Sequence, residues 1–593
     1  MTKTTRQGIF QPKHLALGVA LGIASPTYAV TFNIGEIEGQ LDSAMSIGAS
    51  WSTTDRDMDL VGSANGGTGY TQTGDDGRLN FKKGETFSKI FKGIHDLELR
   101  YGDSGAFIRG KYWYDFELKD ESRLFKDISD DNRKEAAQSS GAQILDAFLY
   151  HNYYLGDLPG TVRIGKQVVS WGESTFIGNS INAINPLDAA AFRRPGAEIK
   201  EGLIPVNMLY VSQSLSDRLS MEAFYQLEWD QTIADNCGTF FASADVVADG
   251  CDDNYNILDA RTVNGLLALP AATRAALGID VEPEGLLVNR GGDRDARDSG
   301  QYGVAMRWLG DATEYGLYAM NYHSRTPNLS MRNASRAAIG AALATPALAS
   351  PILLSNGEYF LEYPEDIRLY GASFSTTLPT GTAWSGEISY RPNLPVQLNT
   401  TYITGLLANS VVGALSAGGV PAALAQAGAE SRGYNRKEVT QVQTTFTHFI
   451  DQVLGAGRVT LVGEVGYTHV GGLESKSELR YGRDSIYGLD TPEYGNDGFV
   501  TANSWGYRLR ALADYSNVFA GVNLTPNVSF SHDVNGYGPN GLFNEGSKAV
   551  SVGVDAVYQN RYTASLSYTD FFGGDYNTLV DRDFLALSMG VNF

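Results

Sequence analysis

The sequence runs to 593 residues, 43% of them hydrophobic, with a formal net charge of −21 and a mean hydropathy of −0.20. That hydropathy excludes a bundle of transmembrane helices, each of which needs about twenty apolar residues in a row. The acidic balance excludes nucleic acid as a partner, because phosphates would be repelled. A barrel that crosses a membrane on strands needs only every second residue to be apolar, and fits both values.

Residues 1–29 read as an export signal. Lys3, Arg6, Lys13 and His14 form a basic start, residues 15–24 are apolar, and small residues lead to Ala29 with Thr27 two places before it. The apolar stretch is too short to span a bilayer. The mature chain, 30–593, is expected to form one domain. In its first strand Ile37, Leu41, Met45, Ile47, Ala49 and Trp51 alternate with Glu36, Glu38, Gln40, Asp42, Ser46 and Ser50. The same period of two carries Ala106 to Leu118 on one face, and Phe107, Arg109, Lys111, Trp113, Asp115, Glu117 and Lys119 on the other. It recurs with Met221, Ala223, Tyr225, Leu227 and Trp229 against Ser220, Glu222, Phe224, Gln226, Glu228 and Asp230.

Compact turn signals fall near 102–105, 156–160, 214–218, 310–313, 379–381, 451–457, 516–517 and 560–561. Long segments separate them, the largest being 231–298, 324–365, 392–437 and 470–503. Short and long connections that alternate mark an all-β, antiparallel, up-and-down transmembrane barrel of about 18 strands (16–18), with short helices in its outer loops. Trp51, Trp229 and Trp505 are expected at outer strand ends and Trp308 and Trp384 at inner ends, as aromatic girdles. Trp113 falls mid-strand on the inward face. The chain ends on Leu585, Leu587, Met589, Val591 and Phe593, which alternate with small or polar residues. This pattern resembles the terminal strand that the outer-membrane assembly machinery recognises.

The only cysteines, Cys237 and Cys251, share one long loop. In an oxidising compartment their default state is a disulfide, worth about 3 kcal/mol for a loop of this size. A metal pair is the weaker reading, because no histidine lies near. Three outer segments, 266–277, 337–354 and 402–428, are rich in Ala and Leu and almost uncharged. Interrupted by Pro270, Pro346, Pro351 and Pro421, they do not read as transmembrane helices. Their apolar faces need cover: they pack on one another as a cap, fold into the barrel mouth as a greasy vestibule or plug for an apolar ligand, or immerse in the outer leaflet.

Motifs for chemistry are weak. Gly102-Asp103-Ser104-Gly105 resembles a protease nucleophile segment but sits at a turn between strands. Gly172-Glu173-Ser174 lacks the second flanking glycine of a nucleophile elbow. The seven histidines show no metal-ligand spacing, and Asp55, Asp57 and Asp59 lack that of an EF-hand. No catalytic, cofactor or metal residue is assigned. Trp171 and Glu173 open a long loop after a regular strand, and with Arg193 and Arg194 they read as a latch holding that loop inside the lumen. Arg109, Lys111, Trp113, Asp115, Glu117, Arg163, Glu222, Glu228, Arg508 and Arg510 read as lumen lining, most often solvated or mutually paired, and alternatively grading the passage of a polar head group.

Six runs carry a family resemblance: DDGRLNF at 75–81, RGKYWYDFELKDE at 109–121, VRIGKQVVSWGESTF at 162–176, FYQLEWDQT at 224–232, EYPEDIRLYGASFST at 362–376 and FFGGDYNTLVDRDF at 571–584. They resemble a large proteobacterial family catalogued as domain of unknown function 1302. The resemblance implies a Gram-negative outer-membrane protein linked to handling hydrophobic compounds or lipids. It also implies company: a periplasmic lipoprotein and an inner-membrane transporter of the resistance–nodulation–division type, in one trans-envelope path, alongside membrane lipid and lipopolysaccharide. The expected function is a non-enzymatic conduit for hydrophobic compounds. The alternatives are a substrate-specific porin for small polar solutes and a structural or adhesive surface barrel.

Overall fold

The computed structural model describes residues 30–593; the export signal read at 1–29 lies outside the described residues. The alternating segments form strands β1 (Ile37–Ser52), β2 (Thr86–Tyr101), β3 (Ser104–Asp115), β4 (Ser140–Leu155), β5 (Leu158–Gln167) and β6 (Val206–Ser214). They continue as β7 (Leu219–Gln226), β8 (Gln301–Leu309), β9 (Thr313–Tyr322), β10 (Ile367–Thr377), β11 (Ala383–Gln397) and β12 (Tyr434–Asp451). The last six are β13 (Arg458–Gly471), β14 (Asn503–Phe519), β15 (Val522–Asn535), β16 (Lys548–Tyr558), β17 (Tyr562–Phe572) and β18 (Phe584–Asn592). Each pairs antiparallel with its neighbours in sequence, and β18 pairs with β1 from Ala44↔Asn592 to Ser52↔Phe584. The result is a closed 18-stranded transmembrane barrel, which leaves no long edge to aggregate. A short strand, Val30–Ile34, folds back onto the lower part of β1.

One strand face turns outward and suits hydrocarbon: Ile47, Ile164, Leu317, Val465 and Met589 are all exposed there. Trp505 and Trp308 are exposed near opposite ends of their strands, where amphipathic rings sit at headgroup level. Trp229 lies beyond the end of β7. Its indole N–H donates to the Ser324 carbonyl at 3.1 Å and its ring packs on Tyr363, so it belongs to the loops and to no girdle.

Three further expectations need correction. The alternation through Lys119 stops at Asp115, whose side chain caps the helical turn Phe116–Asp120 by accepting from the N–H groups of Glu117 and Leu118. A side-chain cap of this kind outcompetes continuation of the strand. The turn expected at 516–517 comes at Ala520 and Gly521, because β14 continues to Phe519 through an irregular register after Tyr515. The apolar segment at 402–428 is helical over Thr400–Leu424, with a break at Gly419 ahead of Pro421, and by length and composition it is apolar enough to cross a membrane. It lies among the loops.

Those loops form a cap at one end. Helices Ala260–Leu267, Arg336–Ala344, Ala349–Ser355 and Thr400–Leu424 pack around two small sheets. Val263, Leu266, Ile339, Ile352, Leu353, Ile403 and Leu407 share one apolar core with Met331 and Tyr359. Mutual packing covers one side of these helices, while Val412 and Val420 of the long one stay exposed. Cys237 and Cys251 are joined by a disulfide in this cap.

Candidate functional site

The segment after β5, residues 168–205, turns inward and lines the lumen as a strap. Its first part lies on an apolar stretch of inner wall, where Trp171, Ile181 and Ile184 pack with Met208, Phe224, Tyr318 and Leu369. The Trp171 indole N–H donates to Glu222 at 2.7 Å. Two carboxylates from the wall then hold the strap backbone. Glu464 of β13, 0% exposed, accepts from the N–H groups of Thr175, Phe176 and Ile177 at 3.0, 2.7 and 2.7 Å. Glu387 of β11 accepts from those of Glu173 and Ile181 at 2.5 and 3.3 Å. A buried carboxylate is tolerable when such donors surround it. The wall also makes room: a Cβ on Gly466 would fall 2.8 Å from Ile177 Cδ1, and one on Gly48 would fall 2.5 Å from Pro195 Cβ.

The strap then crosses to the opposite wall, held by buried ion pairs. Lys111 of β3 pairs with Asp188 at 3.1 Å, and Lys92 of β2 pairs with Glu201 at 2.6 Å. Lys92 also donates to the Gly196 carbonyl at 2.7 Å. These wall residues sit near mid-height of their strands, so the strap narrows the barrel at its middle. The inner walls of β15, β16 and β17 differ. Ser529, Ser531, Ser551, Ser565, Ser567 and Thr569 are all half-exposed, whereas Ser389, Gln441 and Glu464 under the strap are buried. The open lumen is therefore eccentric, bounded by the strap on one side and a hydroxyl-rich wall on the other. A cavity of about 590 Å³ lies beside the β1–β18 seam, lined by Asp42, Lys92, Glu201, Ser588 and Asn592.

The strap exposes apolar side chains within this enclosure. Phe176 is 39%, Phe192 43% and Ile199 75% exposed. A segment held inside the barrel wall has only the lumen to be exposed to.

The residues singled out in the sequence scatter over this arrangement. Arg109 pairs with Asp96 and Asp146, and Arg508 with Asp533, on the inner wall. Trp113 is buried beneath Arg194, whose guanidinium lies 4.9 Å from the ring centroid. Arg163 stacks over Tyr210 at 4.1 Å, and Glu222 faces Arg307. Glu117 and Glu228 are not on the lumen wall. Glu117 lies past β3 and pairs with Lys89 and Arg123, and Glu228 lies past β7 and accepts from Asn207. The four latch residues do not meet as one unit. Glu173 is held through its backbone, Arg193 pairs with Asp235, and Arg194 donates to the Ala136 carbonyl. Sequence reasoning missed Glu387, Glu464, Lys92, Asp188 and Glu201. An isolated charge on the inward face of a strand was the one available signal, and it does not name its partner.

It also missed an acidic cluster in the loops. Asp75, Asp76 and Asp245 are buried with carboxylate oxygens within 4.8 Å of one another. Asp55 and Asp59, flagged in the sequence, lie elsewhere, Asp55 beside Lys83 and Asp59 bonded to Thr68. Burial pushes the Asp75 carboxyl up to about 6, opposed by the donors Gly62 N–H and Asn65. Burial raises Asp76 and Asp245 too.

The model of the family described as protein of unknown function DUF1302 matches residues 11–593. The chain belongs to that family. No curated protein matches this DUF1302 member. Among solved structures, OccAB1 of Acinetobacter baumannii is 10% identical at a TM-score of 0.39, over 94% of this chain and 96% of that one. A BenF-like porin from Pseudomonas fluorescens Pf-5 is 8% identical at 0.39, over 94% and 98%. OmpF of Salmonella typhi, in complex with daunomycin, is 9% identical at 0.34, over 95% and 100%. Likeness at this level carries no argument about what the DUF1302 member does.

Proposed function

We propose that the protein is an outer-membrane channel of a Gram-negative bacterium for hydrophobic and amphiphilic compounds, with the loop cap outside. Transport is non-enzymatic, and the barrel forms one limb of a trans-envelope path with a periplasmic lipoprotein and a transporter of the resistance–nodulation–division type. The observation that carries the reading is the set of apolar side chains, Phe176, Phe192 and Ile199, exposed on the strap inside the barrel. Apolar surface left in water is unfavourable by about 25 cal/mol per Å², and an apolar solute in transit relieves that cost. The uncharged helices do not carry the reading, since they lie in the cap and not in the lumen.

The hydroxyl-rich wall of β15–β17 supports a second reading, a porin for small polar solutes. One experiment separates the two. Cells lacking the chromosomal copy express wild type or Phe192→Ser with Ile199→Ser, matched for surface amount, and take up a radiolabelled hydrophobic compound. The double substitution is expected to slow uptake about tenfold and to leave sugar flux through reconstituted barrels unchanged. Unaltered uptake of the hydrophobic compound, with rapid sugar flux, favours the polar porin instead.

A further inference from the structure

Most cations that point into the lumen are already engaged. Arg109, Lys92, Lys111, Arg307 and Arg508 each have a carboxylate partner. Arg391 donates to the strap carbonyl of Asn179, and the guanidinium of Arg163 lies on Tyr210. Arg510 differs. Among the described residues it has no carboxylate within ion-pair distance and no hydrogen bond, and its buried Nε is unpartnered. Its register neighbours are Val462 on β13 and Ser529 on β15, and neither offers a charge. The diagonal neighbour Glu464, which pairs in register with Arg508, is occupied by the three strap N–H groups.

That same Glu464 places Phe176. Its carboxylate holds the Phe176 N–H at 2.7 Å, so the exposed ring is anchored one strand over from Arg510 and one inward-facing step nearer the loop end. Arg510 and Glu464 are diagonal neighbours, about 7–8 Å apart, and the chain of an amphiphile whose head group sits on Arg510 extends from there toward the strap. A free guanidinium fork and an exposed phenyl ring thus lie on the same side of the lumen, near mid-height of β13 and β14.

Resting on the reading of the barrel as a channel for amphiphiles, we propose that Arg510 and Phe176 form a binding site for amphiphilic organic anions. Arg510 takes the carboxylate and Phe176 the first apolar segment. A guanidinium binds a carboxylate through two parallel N–H···O bonds, and in a chain of net charge −21 an unpaired cation at this level is what admits an anion.

The test uses the full barrel in planar bilayers and reads block of ion current by decanoate, decanol and decyltrimethylammonium. Wild type is expected to bind decanoate at least several-fold more tightly than the other two. Arg510→Gln should weaken the decanoate block about tenfold and leave decanol unchanged, whereas Arg510→Lys should retain part of the preference. Phe176→Ser should weaken decanoate and decanol alike. Heat-modifiable migration in detergent gels confirms that each variant is a closed barrel. Equal block by the anion and the cation, or an Arg510→Gln barrel with unchanged decanoate block, overturns the head-group site while the channel reading stands. If none of the three amphiphiles interacts and sugars pass freely, both readings fall.

Discussion

Glu464 ties the strap to the wall of the barrel. Three backbone N–H groups converge on it, and hydrogen bonds to a charged acceptor are each worth about 1.5–3 kcal/mol. Glu464→Ala leaves those donors without an acceptor in a dry place, and the strap end at 173–181 is expected to loosen. Single-channel recordings should then show larger and noisier conductance, with Glu464→Gln intermediate because its amide oxygen accepts without the charge. Conductance identical to wild type would mean that the remaining contacts hold the strap unaided. Little of this was legible at the level of residues. Lys111 and Arg508 announce themselves as charges on an alternating face, but their partners Asp188 and Asp533 are 77 and 25 positions away. Nothing in a local pattern encodes such distances. Glu117 and Glu228 were misplaced for a related reason: periodicity says which face a residue would take if the strand continued, and not where the strand stops.

At the scale of elements, the strands were the easier part, because lipid on one side and a polar lumen on the other impose a period of two. Loops obey no such rule, and the cluster of Asp75, Asp76 and Asp245 joins segments 170 residues apart or nearly so (Asp76 N–H to Asp245, separation 169). It has a consequence for pH. Burial raises the folded Asp75 carboxyl from 3.8 to about 6, so the folded loops hold a proton that the unfolded chain releases. Stability of this region therefore falls as pH rises between roughly 4 and 6 and stays lower above that window. Hydrogen exchange, corrected for the intrinsic rate, should show residues 53–85 and 235–250 better protected at pH 5 than at pH 8. Asp75→Asn should flatten that difference. A wild-type protein with the same protection factors at both pH values would contradict the assignment.

For the molecule as a whole, the strap decides whether the barrel is wide or narrow. Replacing residues 173–201 by a short Gly/Ser linker should give a barrel that still closes through the β1–β18 seam but conducts several-fold more current. It should also bind an apolar fluorophore, since Met208, Phe224, Tyr318 and Met320 lose their cover. Unchanged conductance would place the constriction elsewhere. The sequence by itself determined that the chain is a transmembrane barrel, its approximate strand number and the face each strand residue takes, because those follow from local alternation and from turn chemistry read a few residues at a time. Only the tertiary structure decided that the apolar helices join a cap, that one loop lies inside the lumen, and that Glu464 holds that loop one strand over from an unpaired arginine. Each of these depends on contacts between residues far apart in the chain, and closing the barrel is what brings them together.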